Sequence, residues 1–140
     1  MLRRYLNFSA CCAVVFVLFS VGCSAQQTEE QALRSLREMT RDGKLPPEDL
    51  VAGIESRFAG KKIGALAKLL HARIRYENND YSGAAAILNT DVFAKKTRLG
   101  DHALWLRGQS LQKAGNNAEA NRSFEHSKYQ MQRARQVFIR

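Results

Sequence analysis

The sequence predicts an all-α fold, in which antiparallel helix hairpins follow an N-terminal signal helix. The chain has 140 residues, of which 45% are hydrophobic and 25% charged, a balance typical of one folded domain. Its two prolines stand together at Pro46 and Pro47, and the rest is rich in Ala, Leu, Gln, Arg, Lys and Glu, which favour helix over strand. Apolar residues also recur at helical spacing along most of the chain.

The first 22 residues have the pattern of an export signal. Arg3 and Arg4 precede a stretch without charge, from Phe8 to Val21. A membrane-spanning helix needs roughly 20 apolar residues, so the length favours a cleaved signal over an uncleaved anchor. The stretch ends in Ser-Val-Gly-Cys at residues 20–23, which resembles the lipobox of bacterial lipoproteins.

This resemblance implies that residues 1–22 are removed, that Cys23 is lipidated, and that residues 23–27 form a short linker. Ser20 stands where Leu is usual, so ordinary cleavage after Ala25, with release into the periplasm, is the alternative. Ser24 stands where an Asp would retain the protein at the inner membrane, which implies an outer-membrane lipoprotein facing the periplasm.

Cysteine content and charge fit an exported chain. Once the signal is removed, Cys23 is the only cysteine left, so no internal disulfide can form. Removal of Arg3 and Arg4 leaves 20 basic against 13 acidic residues, a net charge of +7. We interpret most of this charge as solvated surface, although Lys128 and three later arginines are unopposed and suit an anionic lipid or cell-wall polymer. No motif predicts nucleic-acid binding.

The first two helices are predicted to form one hairpin. Thr28 and Gln31 fit a capping box at the start of the first helix, and Gly43 ends it. Pro46 and Pro47 open the second helix. One apolar face is predicted there, made of residues four apart: Leu50, Ile54 and Phe58.

The later helices are predicted in two pairs. The third runs from about residue 63 to 77, with Leu66, Leu70 and Ile74 on one face, and the fourth covers residues 81–88. Residues 89–100 are ambiguous, with a short turn expected around Val92 and Phe93. The fifth covers residues 101–114 and the sixth begins at residue 117, after Gly115-Asn116. Asn116 and Glu119 are expected to cap each other.

The last pair resembles the tetratricopeptide repeat (TPR), with six positions in agreement: Leu104, Gly108, Leu111, Ala120, Phe124 and Ser127. Gly108 is expected to let the helices approach closely, with Ala120 opposite it. The preceding pair repeats the second half of the pattern but carries Ala72 where Gly is usual. Residues 28–140 are therefore predicted to form a short TPR-like solenoid, with a generic helical bundle as the alternative.

In this repeat family, ligands bind the concave face formed by the first helix of each pair. Transferred to this chain, the resemblance implies a partner-binding groove of these residues: Arg73, Tyr76, Glu77, His102, Trp105, Gln109, Gln112 and Lys113. Trp105 is the main candidate for an interface anchor, although packing between helices is an equal alternative for it.

Catalysis is not expected. The three histidines, at positions 71, 102 and 126, have no second ligand at helical spacing, and no phosphate-binding loop is present, so neither a metal nor a cofactor is predicted. Glu55-Ser56-Arg57-Phe58 resembles the Glu-Ser-x-Phe motif of lytic transglycosylases, but the Gly-Leu-Met-Gln that completes that site is missing. The last pair also looks like part of the helical ring of soluble lytic transglycosylases, so a non-catalytic remnant of such an enzyme is an alternative.

The C-terminal helix is predicted to carry an uncovered apolar stripe, made of Met131, Ala134 and Phe138. Because a solenoid normally ends in a polar capping helix, we expect this stripe to contact an envelope protein or a second copy of the chain. The sequence thus predicts a lipid-anchored protein-binding scaffold of the bacterial envelope. A basic peptidoglycan-binding or lipid-binding module remains an alternative, on charge alone.

Overall fold

The computed structural model describes the backbone of residues 27–138 and the side chains of residues 27–133. Within that range the chain is all-helical: α1 Glu29–Thr40, α2 Glu48–Arg57, α3 Lys62–Glu77, α4 Tyr81–Leu88, α5 Val92–Lys96, α6 Gly100–Lys113 and α7 Asn117–Phe138. The predicted all-α class is confirmed. The predicted signal, the lipidation residue Cys23 and nearly all of the linker lie outside the described residues.

Helix boundaries follow the local sequence signals closely. Thr28 Oγ1 accepts the backbone N–H of Gln31, whose side chain in turn accepts the N–H of Thr28 at 2.9 Å, so the predicted capping box is present. Asp80 caps α4 by accepting the N–H of Gly83 at 2.9 Å. The ambiguous segment contains the short helix α5, with Phe93 buried in it.

The N-terminal helices pack differently from the predicted hairpin. The backbone of α2 runs close to α3, and the closest backbone approach of α1 is also to α3 rather than to α2. All three helices contribute to one apolar cluster, in which Ala32 and Leu36 of α1 contact residues from α2 and α3. The predicted first hairpin is therefore wrong, because the narrow apolar stripe of α1 lies across the α2–α3 pair.

The buried faces of α2 and α3 are turned from their predicted positions. Leu50 is 55% exposed, and Val51 is fully buried in its place beside Ile54 and Phe58. An α-helix has 3.6 residues per turn, so residues spaced four apart shift gradually around the helix and away from the buried face. In α3 the corresponding buried residues are Ile63, Ala67 and Ile74, with Leu70 at the edge and Leu66 only partly buried.

Two further clusters complete the core. One joins α3, α4, α5 and α6 through Ala72, Leu88, Phe93, Ala103 and Leu106. The other lies between α4, α6 and α7 and contains Ala85, Leu111 and Ala120, with Phe124 packed against it. The core therefore continues along the whole row of helices, with α6 and α7 as the most extensive pair.

A ring of α7 packs directly against the backbone of α6 at Gly108. A Cβ atom placed on Gly108 would lie 2.5–2.9 Å from three atoms of the Phe124 ring. The ring of Phe124 therefore fills the space above the glycine. Ala120, one turn earlier on α7, is buried in the cluster against which Phe124 packs, and its position opposite Gly108 stays a prediction.

Candidate functional site

The exposed face of α6 carries the residues that sequence analysis placed in a binding groove. His102, Gln112 and Lys113 are exposed, and Gln109 is partly exposed. Trp105, the only Trp in the chain, is 41% exposed. The opposite side of the helix is held in the core by Ala103, Leu106 and Leu111.

Trp105 and His102 form an ordered aromatic pair. Their ring centroids are 6.0 Å apart and the ring planes are inclined by only 23°, which is a stacked arrangement. Residues three apart on a helix lie on the same face, so both rings are exposed on one side of α6. Aromatic side chains have few rotatable bonds and therefore lose little conformational entropy when a partner covers them.

The groove residues of α3 form a second group. The Arg73 guanidinium lies 5.8 Å from the centre of the Tyr76 ring and also pairs with Glu77. Tyr76 is partly buried, packs against the central core cluster and makes an edge contact with Tyr81 at 5.4 Å. Tyr76 therefore contributes partly to the core, and the charge of Arg73 is already paired with Glu77 on the same helix.

The two groups are not joined directly. The backbones of α3 and α6 approach each other at only a few positions. Within residues 27–133, no hydrogen bond, ion pair or ring contact links the Arg73–Tyr76 group to the His102–Trp105 pair. The structure therefore offers a stacked aromatic pair on α6 and a separate cation–aromatic group on α3.

The α6–α7 pair also contains a charged contact that sequence analysis missed. The Arg107 side chain, 15% exposed, pairs with Glu119 and donates from Nη1 to Ser123 Oγ at 2.9 Å. Its Nε is buried without a hydrogen-bond partner. A cavity of about 310 Å³ lies beside it, between α5, α6 and α7, and His126 and Gln130 line its far side.

A second charged cluster joins α2, α3 and the start of α4. His71 Nδ1 lies 2.8 Å from Glu55 Oε2, and His71 Nε2 lies 3.1 Å from Glu48 Oε1. Lys68 donates to Glu55 at 3.0 Å. Arg75 donates to Glu48 at 2.5 Å and to Asp80 at 2.7 Å. The partners are 13 to 27 residues apart in sequence, except for Arg75 and Asp80, so no local motif could have revealed the cluster.

This cluster changes the chemistry of its carboxylates. The hydrogen bond from His71, together with the Arg75 guanidinium, lowers the pKa of Glu48 below its ordinary value. The Arg75 guanidinium and the Gly83 N–H lower the pKa of Asp80 in the same way. Glu55, the residue resembling a transglycosylase acid, has both oxygens engaged by Lys68 and His71.

The C-terminal end of α7 extends beyond its partner helix. Ser127 Oγ donates to the carbonyl of Asp101 at 2.9 Å, and Gln130 lies against Gly100, the first residue of α6. Residues 131–138 therefore continue past the start of α6. Met131 is 40% exposed in this part, as predicted for the stripe. The side chains of Ala134 and Phe138 lie outside the described residues.

The described residues contain no candidate membrane span and no candidate metal site. Among the described residues no helix has the length and apolarity required to cross a bilayer. In the same part of the chain, no three His, Cys, Asp or Glu side chains are grouped so as to hold a metal ion. No protein family, curated protein or solved structure matches this chain.

Proposed function

We propose that this chain is an exported, lipid-anchored, TPR-like protein of the bacterial envelope that binds another protein and has no catalytic activity of its own. The observation that carries the proposal is the stacked Trp105–His102 pair on the exposed face of α6. Large exposed aromatic residues held in place by a neighbour are typical anchors of protein interfaces. In the TPR resemblance, the same face of the helix is the ligand-binding one.

The repeat interpretation is supported by the α6–α7 pair. Gly108 permits the close approach of a large ring, as a small residue at this position of a repeat must. Ala120 is buried on α7 with Phe124 packed against the same cluster, and the residues 36 positions earlier, Ala84 and Leu88, are buried on α4. We infer that α3–α4 and α6–α7 are two repeat units, joined by the short helix α5.

The anchoring part of the proposal rests on the sequence. A lipid on Cys23 would leave only a few residues before α1 begins at Glu29, so the helical domain would lie close to the membrane surface. The exposed end of α7 around Met131 is a second contact surface in this proposal, for a partner protein or for another copy of the chain.

The test is a comparison of two exposed apolar residues. Envelope proteins cross-linked to the wild-type protein are identified first, and binding of the purified partner is then measured for Trp105→Ala and Leu50→Ala. Leu50 is 55% exposed on α2, away from both proposed contact surfaces, so it serves as the matched control. Loss of an interface Trp typically costs about 2 kcal/mol or more, so affinity should fall roughly 30-fold for Trp105→Ala alone. Equal affinity of wild type and Trp105→Ala would reject the α6 face as the binding site.

A further inference from the structure

The ring of His71 is held between two carboxylates of another helix. One ring nitrogen lies 2.8 Å from a Glu55 oxygen and the other 3.1 Å from a Glu48 oxygen. A neutral imidazole has a single N–H, so it can donate to only one of these carboxylates and turns a lone pair toward the other. The imidazolium has two N–H groups and donates to both, so this geometry fits the charged ring.

The charges around the ring also favour the imidazolium form of His71. Three carboxylates and two permanent cations face one another in the cluster, so the charge is balanced only when His71 carries its second proton. The groups concerned are Glu48 and Glu55 from α2, Lys68 and Arg75 from α3, and Asp80 from the start of α4. The His71 side chain is 14% exposed, and partly buried charges are screened by salt much less than exposed ones.

The start of α2 has no side-chain cap, and it is held through the side chain of its first residue instead. The residue preceding the helix is Pro47, and no side chain caps the first turn by a hydrogen bond. Glu48, the first residue of α2, is held instead by His71 and Arg75 from α3. About two turns further along, Glu55 is held by the same imidazole. A single ring therefore fixes both ends of α2 against α3.

We propose that His71 is a proton-dependent clasp that fastens α2 to α3 through Glu48 and Glu55. Loss of the second proton releases one carboxylate, leaves it facing a lone pair, and loosens α2. Because the proton is needed for the folded contact, this contribution to stability is present when the ring is charged and is lost as the pH rises and the ring becomes neutral.

Thermal unfolding of the full chain in a mild detergent tests the clasp. The melting temperature of the wild type should fall by several degrees between about pH 5.5 and pH 8, the interval in which histidines commonly titrate. His71→Gln should melt lower than the wild type at the acidic end and show little change across the interval. The other two histidines, His102 and His126, are exposed, so His102→Gln and His126→Gln should keep the wild-type dependence on pH.

Hydrogen exchange shows whether the change is located at α2. After correction for the intrinsic pH dependence of exchange, protection of α2 amides should decrease severalfold at the higher pH, with α6 amides unaffected. If His71→Gln does not fold, Glu55→Gln supplies the comparison, because a ring with one carboxylate partner no longer needs two protons. A wild-type melting temperature that is flat with pH would overturn the proposal, as would an undiminished slope in the variant or an equal loss of protection in α6.

Discussion

Replacing Gly108 with alanine tests the contact that brings α6 and α7 together. The added methyl carbon would lie 2.5, 2.7 and 2.9 Å from three atoms of the Phe124 ring. Carbon atoms in favourable contact are about 3.5 Å apart or more, so the ring has to retreat by roughly 1 Å. Phe124 is packed against Ala85, Leu111 and Ala120, which limits that retreat.

The expected change in stability is a difference between two opposing effects. Alanine favours the helix over glycine by about 1 kcal/mol. Overpacking a filled site costs typically 1–3 kcal/mol, so Gly108→Ala should be destabilised by up to about 2 kcal/mol overall. Gly53, inside α2, is the matched control, because a Cβ atom there would meet nothing within 4 Å. Gly53→Ala should therefore be stabilised by about 0.5–1 kcal/mol.

Urea unfolding followed by circular dichroism measures both variants against the wild type. If the Phe124 ring is the obstacle, Gly108→Ala should lower the free energy of unfolding much less when Phe124 is already replaced by Leu. This difference in the effect of Gly108→Ala between the wild type and Phe124→Leu is a double-mutant coupling. An increase in the stability of Gly108→Ala equal to that of Gly53→Ala would refute the close contact of α6 with α7. It would also remove the main structural support for a repeat unit there.

Three further predictions follow from the sequence and from the charged cluster. Radiolabelled palmitate should be incorporated into the wild type and not into Cys23→Ala; equal labelling would contradict lipidation at that residue. Met131→Glu/Phe138→Glu should sediment as a smaller species than the wild type with unchanged helix content, unless the wild type is already monomeric at high concentration. Since Arg75 lowers the pKa of Asp80 below its ordinary value of 3.8, the stability from this pair should be lost as the pH falls below about 4. Acid should thus lower the melting temperature less in Asp80→Asn than in the wild type, and equal decreases would show that the pair has no effect.

Local signals predicted the helices well because each depends on a few neighbouring residues. Thr28 with Gln31 predicted the start of α1, and Gly115, which has a positive φ of 85°, predicted the break between α6 and α7. Packing was predicted less well, because periodicity does not specify which helix covers which stripe. The pairing of α2 with α3 and the exposure of Leu50 are both of this kind.

The candidate site also has a part that local sequence signals indicated and a part that depends on helix packing. For Trp105 the sequence left exposure on α6 and packing between helices as equal alternatives, and the structure leaves the side chain 41% exposed. The position of His71 does not follow from local signals, because its partners come from α2, 16 and 23 residues earlier in the chain. The residues at helical spacing from His71 therefore do not include the carboxylates that contact it. Only the packing of α2 on α3 places the carboxylates around it.

The apolar core specifies only weakly how far one helix is shifted along the next. The two interhelical charged contacts, at Arg107 and at His71, help to fix this register. Among the described residues, eight of the eighteen buried apolar residues are alanine, and a methyl group buries little area and fits many neighbours. Sliding α7 by one turn along α6 would move the Phe124 ring away from Gly108, where it fits because the glycine has no side chain. It would also separate Arg107, 15% exposed, from Glu119 and leave a nearly buried charge without its partner, an arrangement that is strongly destabilising. The same reasoning applies to α2 and α3, where a slide would remove both carboxylates from His71. The charged contacts therefore help to set the register of these two helix pairs, while the small apolar residues allow the helices to come close.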